Sequence, residues 1–220
     1  MNPTDESAKI RKVKALLEVI KNLKETRVGR LVERRMKEFH ELGKGTNIEL
    51  FKELCFCILT ANFSAERSIK IQREIGDGFL TLSEHDLLEK LKELGHRFPA
   101  LRAKYILEAR RHIHSLKEII ESFNDKERLR EWLVRNIKGL GYKEASHFLR
   151  NIGYVDFAII DFHIINILAR YGLIEKPRTL TKRIYLQIEN LLRDIAGRLN
   201  LNLGELDLYL WYMETGKILK

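Results

Sequence analysis

The sequence predicts an all-α fold, and three observations carry that expectation. Apolar residues recur at i, i+3, i+4 and i+7 through most of the chain. Only 3 Pro and 13 Gly interrupt 220 residues, too few for the turns of an all-β sandwich. No alternating apolar–polar run is long enough for a convincing strand.

The first helix is expected over 7–23, where Ile10, Val13, Leu16, Leu17 and Ile20 form one stripe. A second, over 28–42, places Leu31, Val32, Met36 and Phe39 on one face and ends at Gly43. Thr46 or Asn47 caps the third, over 48–60, with Glu49 and Glu53 near its positive end. This helix is apolar on nearly every face, which marks it as central and buried. Further helices are expected over 65–75, 83–94, 102–112, 116–122 and 125–137. A Gly-x-Gly turn then separates helical patterns over 127–137 and 143–151. A helix over 161–171, stopped by Gly172, and two more over 181–198 and 202–213 complete the set. There is no fixed-period repeat and no low-complexity segment.

Composition narrows the function. Hydrophobic residues make up 45%, ordinary for a protein with a core, and charged residues 32%, above the usual quarter. The formal net charge of +9 suits a polyanionic partner and raises the on-rate for nucleic acid, although many merely soluble proteins are equally basic. No apolar stretch is long enough to cross a membrane, and residues 1–14 lack the apolar core of a signal peptide. The expected location is the cytosol, beside the nucleoid. Cys55 and Cys57 would point about 200° apart on a helix, so they cannot share a metal and read as buried free thiols. No four-cysteine set exists for an iron–sulfur cluster or a Cys₄ zinc site, and no metal is expected. The high Glu, Lys and Arg content fits a thermophile.

The chemistry concentrates at Gly139-Leu140-Gly141-Tyr142-Lys143. Glycines between two helices allow positive φ and close approach of another backbone, and amides at a helix N-terminus bind phosphate. The same Gly-x-Gly also reads as an ordinary helix–helix turn. Asp161 follows Lys143 by eighteen residues and opens Asp161-Phe162-His163. Together these residues resemble the helix-hairpin-helix DNA glycosylases with the glycine/proline–aspartate active site. The segment 143–153 and the tail Trp211-Tyr-Met-Glu-Thr-Gly-Lys-Ile-Leu-Lys220 are similar to the compact type 2 8-oxoguanine DNA glycosylase/lyases of that superfamily. The resemblance covers roughly 48–220. The family's hairpin proline is absent here, as are the iron–sulfur cysteines of endonuclease III; the type 2 group tolerates both.

The resemblance implies a two-lobed fold, with residues 46–154 in one lobe and 1–45 joined to 155–220 in the other. The hairpin would occupy about 127–152, with Lys143 and Asp161 facing each other across a cleft. It implies a bifunctional repair enzyme that excises 8-oxoguanine through a lysine Schiff base and cleaves the abasic site by β-elimination. Lys143 would be the nucleophile and Asp161 the acid/base and electrostatic helper. Gly139, Gly141 and His163 would meet DNA phosphates. Trp211, Phe98 and Lys220, at the end of the sequence with a free carboxylate, would hold the base, and Asn62 would fill the gap it leaves. No cofactor is required, although the hairpin carbonyls could ligate a monovalent cation as in relatives. The partner would be double-stranded DNA containing oxidised guanine, met by a monomer.

Residue chemistry supports these roles independently. An attacking lysine must be neutral, and a cleft or the positive end of a helix dipole disfavours the ammonium form. A carboxylate can take a proton or stabilise oxocarbenium character. The N7–H of 8-oxoguanine replaces an acceptor of guanine, so an acceptor at that edge discriminates. Plainer readings stand beside these. Lys143 equally reads as solvated, Asp161 as a helix N-cap, His163 as a surface residue, Trp211 as a core anchor, and Asn62 as a C-cap after the buried helix. The segment 95–117 carries six Lys/Arg against the single acid Glu108, a basic patch or a solvated face. Two rival functions remain at this stage: a glycosylase/lyase for another oxidised base, and a non-catalytic DNA-binding module.

Overall fold

A computed structural model describes the backbone of residues 3–220 and the side chains of residues 11–220. The expected packing of Ile10 lies outside the described side chains. The described residues form thirteen α-helices and no strand. In chain order they are α1 (Pro3–Lys24), α2 (Arg27–Gly43), α3 (Asn47–Thr60), α4 (Ala65–Ile75), α5 (Gly78–Thr81), α6 (Glu84–Glu93) and α7 (Pro99–Ala109). There follow α8 (Leu116–Ser122), α9 (Lys126–Asn136), α10 (Tyr142–Asn151), α11 (Phe162–Arg170), α12 (Lys182–Arg198) and α13 (Leu203–Thr215). A 3₁₀ turn, Arg110–His112, prolongs α7.

The chain divides into two compact units, Met1–Phe39 with Tyr154–Lys220, and His40–Gly153. The second is built around α3, against which α4, α7, α8 and α10 pack. Leu50, Phe51, Leu54, Cys55, Phe56, Cys57, Ile58 and Leu59 are all at most 1% exposed, as a helix apolar on every face requires. Both cysteines are buried and neither forms a disulfide, and burial pushes the Cys55 thiol well above its ordinary range. The N-cap of α3 is Thr46: its hydroxyl accepts the Glu49 N–H while Glu49 accepts the Thr46 N–H, a capping box. Asn47 instead reaches sideways, accepting the Lys117 N–H at 2.7 Å and donating to the His114 carbonyl.

In the first unit, α13 packs on α11 and α12, and α12 on α1. Its least expected feature is the run Phe157, Ala158, Ile159 and Ile160, which is buried yet neither helix nor strand. A buried irregular backbone must find side-chain partners. Two residues of α12, one turn apart, supply them. Glu189 accepts the Ala158 N–H at 3.0 Å. The Tyr185 hydroxyl accepts the Ile160 N–H at 3.3 Å and donates to the Ala158 carbonyl at 2.6 Å.

Two expected elements need correction. The residues 95–102 read as one loop, but α7 already begins at Pro99, because proline's fixed φ suits the first helical position and the N–H it lacks has no partner there. The four-residue α5 was not expected at all. One turn is too short for a periodicity, and it forms because Phe79 is driven fully into the core.

Replacing Leu54 by Ala should leave an unfilled cavity in the packing around α3. We expect a loss of about 3 kcal/mol in unfolding free energy, measured as a lower urea midpoint at unchanged slope.

Candidate active site

The hairpin joins α9 to α10 through residues 137–141. Asp125 caps α9, accepting the N–H groups of Glu127 and Arg128. Behind the hairpin, Arg130 is 1% exposed, donates to the Ser146 hydroxyl at 3.2 Å and lies 5.3 Å from the Tyr142 ring centroid. The Tyr142 hydroxyl bonds Glu131. Two helices are thus locked by charged and aromatic groups, not by an apolar seam alone.

The two glycines serve different ends. Gly139 sits at φ +89°, and a Cβ there would lie 2.6 Å from the Tyr105 ring. Both conformation and space demand glycine. Gly141 has extended backbone, φ −90° and ψ −170°, and a Cβ would meet only the mobile carboxylate of Glu144 at 3.2 Å. Folding does not require glycine at 141; close approach of a partner would. The Gly141 N–H, expected to be open to phosphate, donates to Glu144 Oε2 at 3.1 Å.

Lys143 occupies the second position of α10, with its side chain 20% exposed and its Nζ 3.5 Å from Glu144 Oε1. Glu144 thus holds the hairpin amide with one oxygen and faces the candidate nucleophile with the other. The sequence reading passed over Glu144, although a Glu three residues after an N-cap is a legible capping signal.

Asp161 is the N-cap of α11, delivered there by the Tyr185 and Glu189 clamp on residues 158–160. Its Oδ1 accepts both the His163 N–H at 2.9 Å and the Ile164 N–H at 3.0 Å. Capping therefore uses one oxygen, and Oδ2 takes no part in it. The half-buried His163 ring lies between Phe162, at 3.8 Å between centroids, and Trp211, at 4.7 Å and edge-on. Phe162 is 64% exposed. Trp211 is half-buried on α13, and its Nε1 is buried without a hydrogen-bond partner. Lys220 is partly buried.

Asn62 is exposed, one residue past the Ala61 C-cap of α3, at φ +55°. It therefore does hold the left-handed position that ends a helix. Phe98 precedes Pro99 and is flanked by the guanidinium groups of Arg97 at 5.0 Å and Arg102 at 5.9 Å.

The basic patch over 95–117 is smaller than its composition suggests. Four of its six cations donate to backbone carbonyls: Arg102 to Ala61, Arg110 to Phe79, Arg111 to Asn136, and Lys117 to Lys44 and Gly45. Arg97 and Lys104 remain as exposed charges.

Comparison with known proteins gives a consistent picture. Residues 32–201 match the family profile described as 8-oxoguanine DNA glycosylase. The 8-oxoguanine DNA glycosylase/AP lyase of Methanocaldococcus jannaschii is 57% identical, over 93% of this chain and 99% of that protein. The protein of the same description from Korarchaeum cryptofilum is 56% identical, over 93% of this chain and 98% of that one. The crystal structure of the M. jannaschii glycosylase/lyase in complex with a 15mer DNA containing 8-oxoguanine superposes with a TM-score of 0.91 at 56% identity, covering 94% of this chain and all of that one.

The two hairpin glycines should respond differently to alanine. Gly139→Ala should cost about 2 kcal/mol or more of unfolding free energy, from a strained φ and the Tyr105 contact. Gly141→Ala should cost less than about 1 kcal/mol. Denaturant titration of both variants makes the comparison.

Proposed function

The chain belongs to the 8-oxoguanine DNA glycosylase family, and on that premise we propose that it releases 8-oxoguanine from duplex DNA and cleaves the strand at the resulting abasic site. The observation that carries this reading is the agreement, over more than nine-tenths of both chains, with proteins described as glycosylase/AP lyases. Its site of action is the nucleoid and it acts as a monomer. No helix among the described residues is long and apolar enough to cross a membrane.

The residue roles follow from chemistry. The Lys143 amine, once neutral, attacks C1′ of the damaged nucleotide; the C1′–N glycosidic bond breaks and the base leaves with a proton. Sugar-ring opening gives a Schiff base to Lys143. Loss of a C2′ proton then expels the 3′ phosphate by breaking C3′–O, and water releases the lysine. Glu144 Oε1, at 3.5 Å, holds the amine on the first turn of α10. Asp161 has Oδ2 to take a proton or to stabilise positive charge at the sugar while Oδ1 keeps α11 capped. Gly139 and Gly141 let a DNA phosphate approach the hairpin, with Glu144 releasing the Gly141 amide, and His163 contacts a second phosphate from its aromatic bracket. Trp211, Phe98 and Lys220 hold the extruded base, and Asn62 fills its place in the stack.

The chemistry requires no cofactor. Among the described residues the Gly139 and Leu140 carbonyls accept no backbone hydrogen bond, and such neutral oxygens suit a monovalent cation, which would steady the hairpin against a phosphate.

Borohydride reduction tests the nucleophile. Wild type should form a covalent adduct with DNA bearing 8-oxoguanine opposite cytosine. Lys143→Gln should bind that DNA and form none, whereas an adduct surviving the change would assign the nucleophile elsewhere. Failure to release 8-oxoguanine, with release of another oxidised base, would move the specificity.

Asp161→Asn separates capping from catalysis. Asparagine caps as well as aspartate, so stability should hold within about 0.5 kcal/mol. Base release should nevertheless slow by about a hundredfold or more, because the charge at the sugar is lost. A rate near wild type would leave Asp161 as a cap alone.

A further inference from the structure

The turn after α3 and the loop before α7 are tied together by two buried side chains that the proposed chemistry does not use. His96 and Arg102 are each 4% exposed. The Nδ1 of His96 accepts the Phe98 N–H at 3.1 Å, and its Nε2 lies 3.0 Å from the Leu59 carbonyl oxygen. A ring that accepts at Nδ1 carries its proton on Nε2, so it donates to Leu59 and is neutral. Burial, reinforced by the nearby Arg102 and Arg67 charges, lowers its pKa and keeps it so. Arg102 Nη2 donates to the Ala61 carbonyl at 2.5 Å.

Leu59 and Ala61 belong to the end of α3, where carbonyls have no helical partner. Their hydrogen bonds come from side chains 37 and 41 residues further along the chain. The link extends outward. The Phe63 ring packs against His96 in a tilted arrangement, 4.2 Å between centroids, and Arg67 donates to the Gly95 carbonyl at 3.0 Å. The Arg102 guanidinium also lies 5.9 Å from the centroid of Tyr105, the ring packed against Gly139. Asn62, exposed at the tip of the turn, is placed by this scaffold.

We infer that His96 and Arg102 are positioning residues for lesion recognition, holding the Asn62 turn and the Phe98 loop in one fixed arrangement so that gap filling and base contact occur together. This rests on the roles proposed above for Asn62 and Phe98. A residue that only stabilised the fold would affect both reactions of the enzyme alike. Positioning of the turn affects them unequally, because extruding a base has an unstacking cost that an abasic nucleotide lacks.

The test compares single-turnover release of 8-oxoguanine opposite cytosine with strand cleavage of the same duplex carrying a preformed abasic site. His96→Ala should slow base release by about tenfold or more, the effect of one lost buried hydrogen bond. Abasic-site cleavage should change by no more than about twofold. His96→Gln, whose amide can still donate to Leu59, should recover most of the loss. In the double variant His96→Ala/Asn62→Ala, the two effects on base release should fall short of multiplying, because both act through one turn. Circular dichroism melting accompanies each variant; if His96→Ala does not fold, Arg102→Lys, which keeps the charge but loses the planar fork, takes its place with the same expectations. Equal losses on both substrates, no loss on either, or multiplying effects in the double variant would overturn the inference. Asn62→Ala releasing base at the wild-type rate would instead defeat the gap-filling role, a result recognisable on its own.

Discussion

Every helix ends in carbonyl groups that the helix itself cannot satisfy, and the thirteen helices of the described residues, joined mostly by short loops, multiply that demand. The usual remedy is a glycine in the left-handed conformation. This chain uses positive-φ glycines at several ends, Gly95 after α6, Gly153 after α10, Gly172 after α11 and Gly216 after α13, and adds long basic side chains and an imidazole at others. Lys24 reaches the Leu199 carbonyl at the end of α12, Arg111 that of Asn136 at the end of α9, and Arg102 with His96 the end of α3. Each bond joins a cation or imidazole from one element to the negative end of another, so it fixes tertiary position as well as completing a helix. These ties set the relation of the elements they join on top of the apolar packing around α3.

They also change how the positive charge should be understood. A surplus of +9 points toward a polyanion, but much of the basic segment 95–117 faces backbone oxygen. Within that segment Arg97 and Lys104 stay exposed for a phosphate, beside a hairpin whose Gly141 leaves room for close approach. Grip of this kind would depend on geometry at a few phosphates more than on a broad field.

The two candidate catalytic residues are supported in contrasting ways. Lys143 stands on the first turn of a helix whose partner is locked by Arg130 and Tyr142. Asp161 follows an irregular buried strip that Tyr185 and Glu189 help to satisfy. The Gly-x-Gly-x-Lys and Asp-x-His patterns were legible because spacing along the chain is enough to display them. Tyr185, Glu189, His96 and Glu144 were harder to see. Three of them act on residues distant in sequence, and a buried polar side chain on an amphipathic helix looks like any other until its partner is known.

The sequence by itself determined the helical class and the central helix α3, and it narrowed the cap of α3 to Thr46 or Asn47. These follow from periodicity and local capping rules, whereas Lys143 and Asp161 became candidates through the resemblance that their motifs carry. Tertiary structure alone decided which glycine the fold needs, which oxygen of Asp161 is committed to capping, and where the positive charges are directed. Those outcomes depend on contacts between segments tens of residues apart, such as Tyr105 against Gly139 or Arg102 at Ala61. No local pattern encodes the distance of such a pair.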